Sequence, residues 1–198
     1  MIFQVKKYSQ KLLLPLGRKL SNIPANIFTI LSLVFSIISG LGFYLEVLPL
    51  IIICLFLIEF FDQLDGVIAR LQGPTKFGAF LDSTLDRYGD AAIFIGIILG
   101  SYITPILGLI AFIGAFLTSY TRARIEGLQD KSLGGIGLLE RTDRVPLLMI
   151  GAIFQIFYAE AIWWIIIIMI IGSHITVLQR MIYAYKNLSR KQEEKVII

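Results

Sequence analysis

The sequence predicts an all-α integral membrane protein with six transmembrane helices and an N-terminal amphipathic interfacial helix. Its mean hydropathy is +0.80, and 57% of its 198 residues are hydrophobic while only 16% are charged. In soluble domains about a quarter of all residues are charged, so this composition lies outside their range. Six mostly apolar segments approach the roughly 20 residues that a spanning helix needs. These segments are 27–45, 48–70, 79–99, 103–123, 145–160 and 161–183.

The first 20 residues differ from these spans. Leucines such as Leu12 and Leu16 are mixed with cationic residues such as Lys6, and Pro15 interrupts the segment. This mixture predicts an amphipathic helix lying in the cytoplasmic membrane interface, with a disordered cationic arm as the alternative. We therefore expect a single membrane domain over residues 1–198, which comprises an interfacial segment (1–20), a six-helix bundle (21–186) and a cytoplasmic tail (187–198).

The placement of charge supports six spans and predicts their orientation. With six helices both termini lie on one side, together with the loops near 71–78 and 124–144, and all 18 Lys and Arg residues then fall on that side. The opposite loops carry only Glu46 and Glu160. This asymmetry predicts a multi-pass cell-membrane protein with cytoplasmic N and C termini. The net charge of +4 is then explained by contact with anionic membrane lipids, without a nucleic-acid partner.

Five aspartates interrupt the apolar pattern in the stretch FDQLDGVIARLQGPTKFGAFLDSTLDRYGD, residues 61–90. Asp62 and Asp65 are spaced i, i+3 at the end of the second predicted helix, so they share a face. Asp82 and Asp86 are spaced i, i+4 at the start of the third, and a short loop separates the two helices. A tight hairpin would bring the four carboxylates together near the cytoplasmic surface.

Four clustered carboxylates cannot all stay ionised without cations, because like charges at short distance repel one another. Protonation, or pairing with Arg70 and Arg87, would relieve the repulsion. Hard divalent ions fit better, since Mg²⁺ is commonly held by carboxylates together with substrate phosphates. Gly66 and Gly78 would let a phosphorylated ligand approach the backbone closely.

The residues of this stretch resemble the signature of the CDP-alcohol phosphotransferases, also called CDP-alcohol phosphatidyltransferases. These six-helix membrane enzymes, usually homodimers, cleave a CDP-linked lipid or alcohol. The segment IPANIFT (23–29) is similar to the family's Pro-Asn-Thr approach to its first helix. The chain departs from the family pattern in the interhelical loop, where seven residues rather than eight separate Arg70 from Gly78. The matching residues are Asp62, Asp65, Gly66, Ala69, Arg70, Gly78, Asp82 and Asp86.

The resemblance implies a role for each of these positions. Asp62, Asp65 and Asp82 would ligate Mg²⁺ or Mn²⁺, two ions per site, with Asp86 also near the second ion. Asp86 would be the catalytic base that takes the proton from the attacking hydroxyl. The CDP-lipid would contact Gly66, Ala69, Arg70 and Gly78.

Cytoplasmic arginines indicate the acceptor. Several guanidinium groups that converge suit a phosphate, which they bind bidentately. The segments SYTRAR, GLLERTDR and TVLQR are similar to those of phosphatidylinositol-phosphate synthases and their archaeal relatives. That likeness implies transfer from CDP-diacylglycerol or CDP-archaeol to inositol phosphate, with release of CMP. The implied acceptor-phosphate residues are Arg124, Arg141, Arg144 and Arg180.

Alternatives remain at this point. Glycerol phosphate satisfies the same electrostatics as inositol phosphate, and each arginine alone could contact anionic lipid. An Asp-rich intramembrane prenyltransferase would need more helices than 198 residues allow. A cation transporter would place its carboxylates midway across the membrane rather than at one side. The sequence assigns no role to Glu59, and His174 is expected to make a helix-packing hydrogen bond.

Overall fold

A computed structural model of the chain describes residues 12–129, 133 and 135–196, and the side chains up to residue 188. These residues form seven helices and no strand, which confirms the all-α class. A short helix over residues 12–19 (α1) is followed by six longer ones. The longer helices are α2 (Ala25–Tyr44), α3 (Leu48–Gln72), α4 (Lys76–Leu99), α5 (Pro105–Gln129), α6 (Arg141–Phe154) and α7 (Ala161–Val196).

The predicted interfacial segment corresponds in part to α1. Its residues up to 11, including Lys6, lie outside the described residues. Pro15 lies within the first described turn of α1 rather than ending it, so our expectation of an interruption there was wrong. Leu12 is exposed, whereas Gly17 is buried against the side chain of Val67 on α3. The helix thus contacts the bundle through one face.

Helix α2 is the centre of one half of the bundle. It packs against both α3 and α4, while α5 packs against α7, and α6 contacts α3 and α7. The packing of α2 on α4 is close, because a Cβ on Gly96 would overlap the carbonyl of Gly40. Small residues at helix crossings allow such close approach in membrane bundles. The main core lies around Phe43, Leu55 and Ile97, each fully buried.

The α3–α4 hairpin that positions the aspartates is built by local signals. Gly73 follows the last residue of α3 with φ of +92°, a conformation that glycine adopts without strain. Thr75 then caps α4, because its hydroxyl accepts a hydrogen bond from the Gly78 N–H at 3.0 Å. The turn is therefore only three residues long, and both helices then pack against α2 rather than closely against each other.

The last two helices begin and end differently from the prediction. Helix α6 covers Arg141–Phe154 rather than 145–160, because the Asp143 carboxylate accepts from the Glu140 N–H at 2.8 Å and starts the helix earlier. Helix α7 continues to Val196, well past the predicted end at 183. Hydropathy marks only the apolar part of a helix, so polar extensions are missed.

Three of the described helices are long and apolar enough to cross a membrane, namely Ala25–Tyr44, Pro105–Gln129 and Ala161–Leu188. They identify a membrane-associated protein. Helices α3 and α4 carry the aspartates and arginines and so fall short on composition, and α6 has only 14 residues.

Candidate active site

Three aspartates meet where α3 and α4 face each other. Asp62 comes from α3, and Asp82 and Asp86 come from successive turns of α4. Each offers a carboxylate oxygen, and these oxygens all lie within 4.8 Å of one another. All three residues are half-buried. The i, i+4 spacing on α4 accounts for part of this geometry, because it places Asp82 and Asp86 on one face of that helix.

Asp65, the fourth predicted aspartate, is held beside this group by α2. Its side chain is buried at 7% exposure, and its Oδ2 accepts a hydrogen bond from the Thr29 hydroxyl at 2.8 Å. Asp62 and Asp82 lie near enough for their charges to act on it. Thr29 therefore fixes the orientation of a carboxylate at the edge of the cluster.

Arg141, the first residue of α6, bridges two of the clustered carboxylates. Its Nη2 donates to Asp62 Oδ1 at 3.2 Å and also pairs with Asp86 Oδ1. Its side chain is 30% exposed, whereas that of Asp86 is only 6% exposed. Arg87 pairs with the other oxygen of Asp86 at 3.4 Å. Asp86 is thus buried between two guanidinium groups.

The glycines predicted for the CDP-lipid lie between the aspartates and the α3–α4 turn. The guanidinium of Arg70 lies over Gly66, where an added Cβ would be 3.6 Å from Nη1. An added Cβ on Gly78 would be 3.0 Å from the Thr75 hydroxyl and 3.4 Å from the Asn26 amide oxygen. Arg70 is exposed, and Ala69 is half-buried on the same helix.

The four predicted acceptor arginines differ in their surroundings. Arg141 reaches the aspartates, and Arg124 is exposed near the end of α5. Arg144 is 1% exposed and pairs with Asp90. Arg180 is also 1% exposed, and its Nε donates to the carbonyl of Ile136 at 2.9 Å.

Glu140 connects two of the arginines, Arg122 and Arg180, and the sequence analysis did not predict this contact. One oxygen of Glu140 is 3.4 Å from Arg180 Nη2, and the other is 3.7 Å from Arg122 Nη1. A carboxylate therefore lies between guanidinium groups of α5 and α7. Arg122 and Glu140 are visible in the sequence only as charges near helix ends, so nothing in the spacing marked their pairing.

A small, partly open cavity of about 30 Å³ lies between α2, α3, α4 and α6. Asp62 and Asp86 line it together with Arg141, and Glu59 and Asp90 extend its polar wall. Glu59 also accepts a hydrogen bond from the Gln63 amide at 2.7 Å. The wall thus combines these charged groups with apolar side chains such as Ile58 and Val145.

His174, for its part, lies outside the cavity. Its Nδ1 is 2.9 Å from the Ile170 carbonyl of its own helix. This contact agrees with the packing role that the sequence suggested for it.

The donor set fits a divalent metal. Three carboxylates with oxygens within 4.8 Å of one another provide the hard ligands that Mg²⁺ and Mn²⁺ prefer. Asp62, Asp82 and Asp86 would hold such an ion, and Asp65 lies adjacent with its orientation already set by Thr29. Arg141 neutralises part of the same charge.

Comparisons with known proteins give the family. Residues 22–171 match the family model described as CDP-alcohol phosphatidyltransferase. The archaetidylinositol phosphate synthase of Pyrococcus horikoshii is 35% identical over 176 residues, which cover 87% of this chain and 90% of that protein. The archaetidylinositol phosphate synthase of Methanothermobacter thermautotrophicus is 38% identical over 133 residues, covering 65% of this chain and 66% of that one.

A solved structure is similar as well. The phosphatidylinositol phosphate synthase of Mycobacterium tuberculosis with CDP-DAG bound superposes with a TM-score of 0.76 at 29% identity, covering 86% of this chain and 92% of that one. A second structure of that enzyme, in complex with manganese and citrate, gives the same TM-score. With the family model matching most of its length, this chain belongs to the CDP-alcohol phosphatidyltransferase family.

Proposed function

We propose that this enzyme transfers a phosphatidyl-type group, carrying diacylglycerol or archaeol, from a CDP-lipid to inositol phosphate. The products are CMP and a phosphoinositol phospholipid phosphate. The observation that carries the proposal is the cluster of Asp62, Asp82 and Asp86 at a helix hairpin, in a chain whose relatives are named as archaetidylinositol phosphate synthases. Such a cluster suits a diphosphate substrate. Mg²⁺ is usually coordinated by a few protein carboxylates, and oxygens of the substrate phosphates occupy further coordination positions.

We assign the metal site to Asp62, Asp65, Asp82 and Asp86 and propose two Mg²⁺ or Mn²⁺ ions. When bound, these ions would neutralise the diphosphate and stabilise the CMP leaving group. The manganese complex of the mycobacterial relative supports a divalent metal in this family. The short oxygen separations among Asp62, Asp82 and Asp86 support the same assignment here.

Asp86 is the proposed catalytic base. Its carboxylate takes the proton from the acceptor hydroxyl, and the hydroxyl oxygen forms a bond to the lipid-proximal phosphorus. The bond from that phosphorus to the CMP oxygen breaks. Arg87 and Arg141 pair with the Asp86 carboxylate, which supports this role because they hold its two oxygens in defined directions.

The CDP-lipid is proposed to lie over Gly66, Ala69 and Gly78, with Arg70 facing the diphosphate. Support comes from Arg70, which is exposed and whose guanidinium lies next to Gly66. A guanidinium in this position can bind two phosphate oxygens at once.

The acceptor phosphate is proposed to bind among Arg124, Arg141 and Arg180, with Arg144 supporting them from the interior. The Glu140 carboxylate lies 3.4 Å from Arg180 and 3.7 Å from Arg122, and this proximity supports the proposal because these guanidinium groups attract an anion. Arg141 is partly exposed at the cavity and therefore accessible to an incoming phosphate.

For the membrane, we propose that the chain is one domain with six spanning helices, an interfacial α1, cytoplasmic termini and an active site near the cytoplasmic face. Helices α3 and α4 are 25 and 24 residues long, and the residues turned outward include Phe56 and Ile95, which are apolar and exposed. Four of their carboxylates, those of Glu59, Asp62, Asp86 and Asp90, instead line the cavity, as expected for polar groups in membrane helices. A homodimer is proposed from the family resemblance alone.

The test is release of CMP by purified protein that is given a CDP-lipid, Mg²⁺ and one acceptor at a time. Inositol phosphate should give CMP, and free inositol and serine should not. Release with glycerol phosphate instead would keep the aspartate chemistry and reject the acceptor assignment. Absence of CMP with every acceptor, in protein that is folded and binds CDP-lipid, would reject the proposed transfer.

A further inference from the structure

Two Asp–Arg ion pairs join α4 to α6, one turn apart. Asp86 pairs with Arg141, and four residues further along α4, Asp90 pairs with Arg144, which is three residues further along α6. Spacings of three and four residues place side chains on the same helical face. The backbones of α4 and α6 do not approach closely within the described residues, so long side chains bridge the distance between them. The two ion pairs are polar connections of this kind.

The two pairs differ in burial. The outer pair lies at the cavity, and the side chain of Arg141 is 30% exposed. In the inner pair, the side chain of Arg144 is 2% exposed and that of Asp90 is 15% exposed. Asp90 lines the cavity, but Arg144 lies behind it. A ligand entering the cavity can thus exchange with the outer pair more readily than with the inner one.

Arg144 is also bonded to a third helix. Its Nη2 donates to the Ala115 carbonyl at 2.6 Å and to the Ser119 hydroxyl at 3.3 Å, both on α5. Its Nε is buried and has no hydrogen-bond partner within the described part of the chain. The guanidinium consequently ties α4, α5 and α6 together, and at 1% exposure it lies away from the surface that a substrate phosphate would reach.

We propose that Asp90 and Arg144 form a fixed positioning pair that keeps α4 and α6 in register while Arg141 exchanges Asp86 for the acceptor phosphate. The proposal rests on the proposed function. The inner pair holds the base and the phosphate-binding arginine at a constant separation during this exchange. Arg144 on this account does not touch the acceptor.

Kinetics separate a positioning role from an acceptor-binding role. A misplacement of about 1 Å in a catalytic group can cost about 100-fold in rate. Arg144→Lys keeps the positive charge but loses the planar guanidinium that bonds to α4 and α5 at once. We therefore expect this substitution to lower kcat about 10-fold or more. The KM for inositol phosphate should change less than about threefold. A rise of tenfold or more in that KM with kcat preserved would overturn the proposal and make Arg144 an acceptor ligand.

A second measurement keeps the test valid if single variants fold poorly. Breaking a buried pair leaves an uncompensated charge, whereas replacing both partners with apolar residues is often tolerated. The double variant Asp90→Leu with Arg144→Met should therefore recover much of the thermal unfolding midpoint lost in Asp90→Leu or Arg144→Met alone, while kcat stays low. Additive losses of midpoint would mean that the pair is not coupled and would overturn the proposal.

These readouts also distinguish failure of the pair from failure of the proposed function. If the wild type releases no CMP with inositol phosphate but the losses of unfolding midpoint are not additive, the proposed function is rejected. The coupling between Asp90 and Arg144 is then retained. The matched control is Glu160→Gln. Glu160 lies in the loop between α6 and α7, outside the cavity, and its carboxylate accepts a hydrogen bond from the Tyr158 hydroxyl of the same loop. Its kinetics and unfolding midpoint should match those of the wild type.

Discussion

The hydrogen bond from Thr29 to Asp65 should control metal affinity. Thr29→Val keeps the shape of the side chain and removes the hydroxyl that donates to Asp65 Oδ2 at 2.8 Å. Both residues are buried, at 5% and 7% exposure, so water does not readily replace the lost donor. A hydrogen bond to a charged group contributes about 1.5–3 kcal/mol, which corresponds to about 10- to 100-fold in an equilibrium constant.

The loss should appear in the metal dependence of the reaction. In Thr29→Val, the Mn²⁺ concentration that gives half-maximal CMP release should rise about 10-fold or more, because the partners of ligating carboxylates typically alter metal affinity by that factor. Turnover at saturating Mn²⁺ should recover most of its wild-type value. Thr29→Ser, which keeps a hydroxyl, should stay near the wild type.

Thr121→Val is the matched control. The Thr121 hydroxyl donates at 2.7 Å to the Leu117 carbonyl of its own helix and is remote from Asp65 in the packing of the bundle. Its metal dependence should not change. If Thr29→Val and Thr121→Val both leave the half-maximal Mn²⁺ concentration at the wild-type value, Asp65 does not contribute to metal binding through Thr29.

Three further outcomes follow from the site and the fold. Asp86→Asn should abolish CMP release while leaving CDP-lipid binding within about threefold, and loss of that binding would argue against a purely basic role. Chelation with EDTA should stop CMP release, and Mg²⁺ or Mn²⁺ but not Na⁺ should restore it; persistent activity would remove the metal from the account. Gly96→Ala should lower the free energy of unfolding by about 1–3 kcal/mol, since its Cβ would overlap the Gly40 carbonyl. Gly127→Ala, whose Cβ meets nothing within 4 Å, should not, and equal effects in thermal unfolding would refute the packing argument.

The sequence predicted the features that depend on local spacing. The all-α class followed from apolar segments, and the hairpin between Asp62 and Asp86 followed from a short loop and from aspartates spaced by three or four residues. Those spacings determine helix faces directly, so the convergence of carboxylates could be expected before the fold was known. Three of the four aspartates do lie within 4.8 Å of one another through their nearest oxygens.

Partners from distant helices could not be predicted in this way. The resemblance implied that Arg144 and Arg180 bind the acceptor phosphate, but the sequence did not reveal that Asp90 and backbone carbonyls surround them. Such contacts depend on which helices pack together and at what angle. The periodicity of a sequence predicts the faces of a single helix but not its packing partners. The start of α6 was missed for a related reason, because the cap between Glu140 and Asp143 is polar and lies outside the apolar segment.

The central claim is that inositol phosphate is the acceptor. The most direct measurement is mass spectrometry of the lipid product when purified enzyme receives a CDP-lipid, Mg²⁺ and equal concentrations of inositol phosphate and glycerol phosphate. The account predicts a product in which inositol phosphate has replaced CMP as the major new lipid. A product that carries glycerol phosphate instead, formed in preference at equal concentration, would contradict the acceptor assignment while leaving the aspartate chemistry in place.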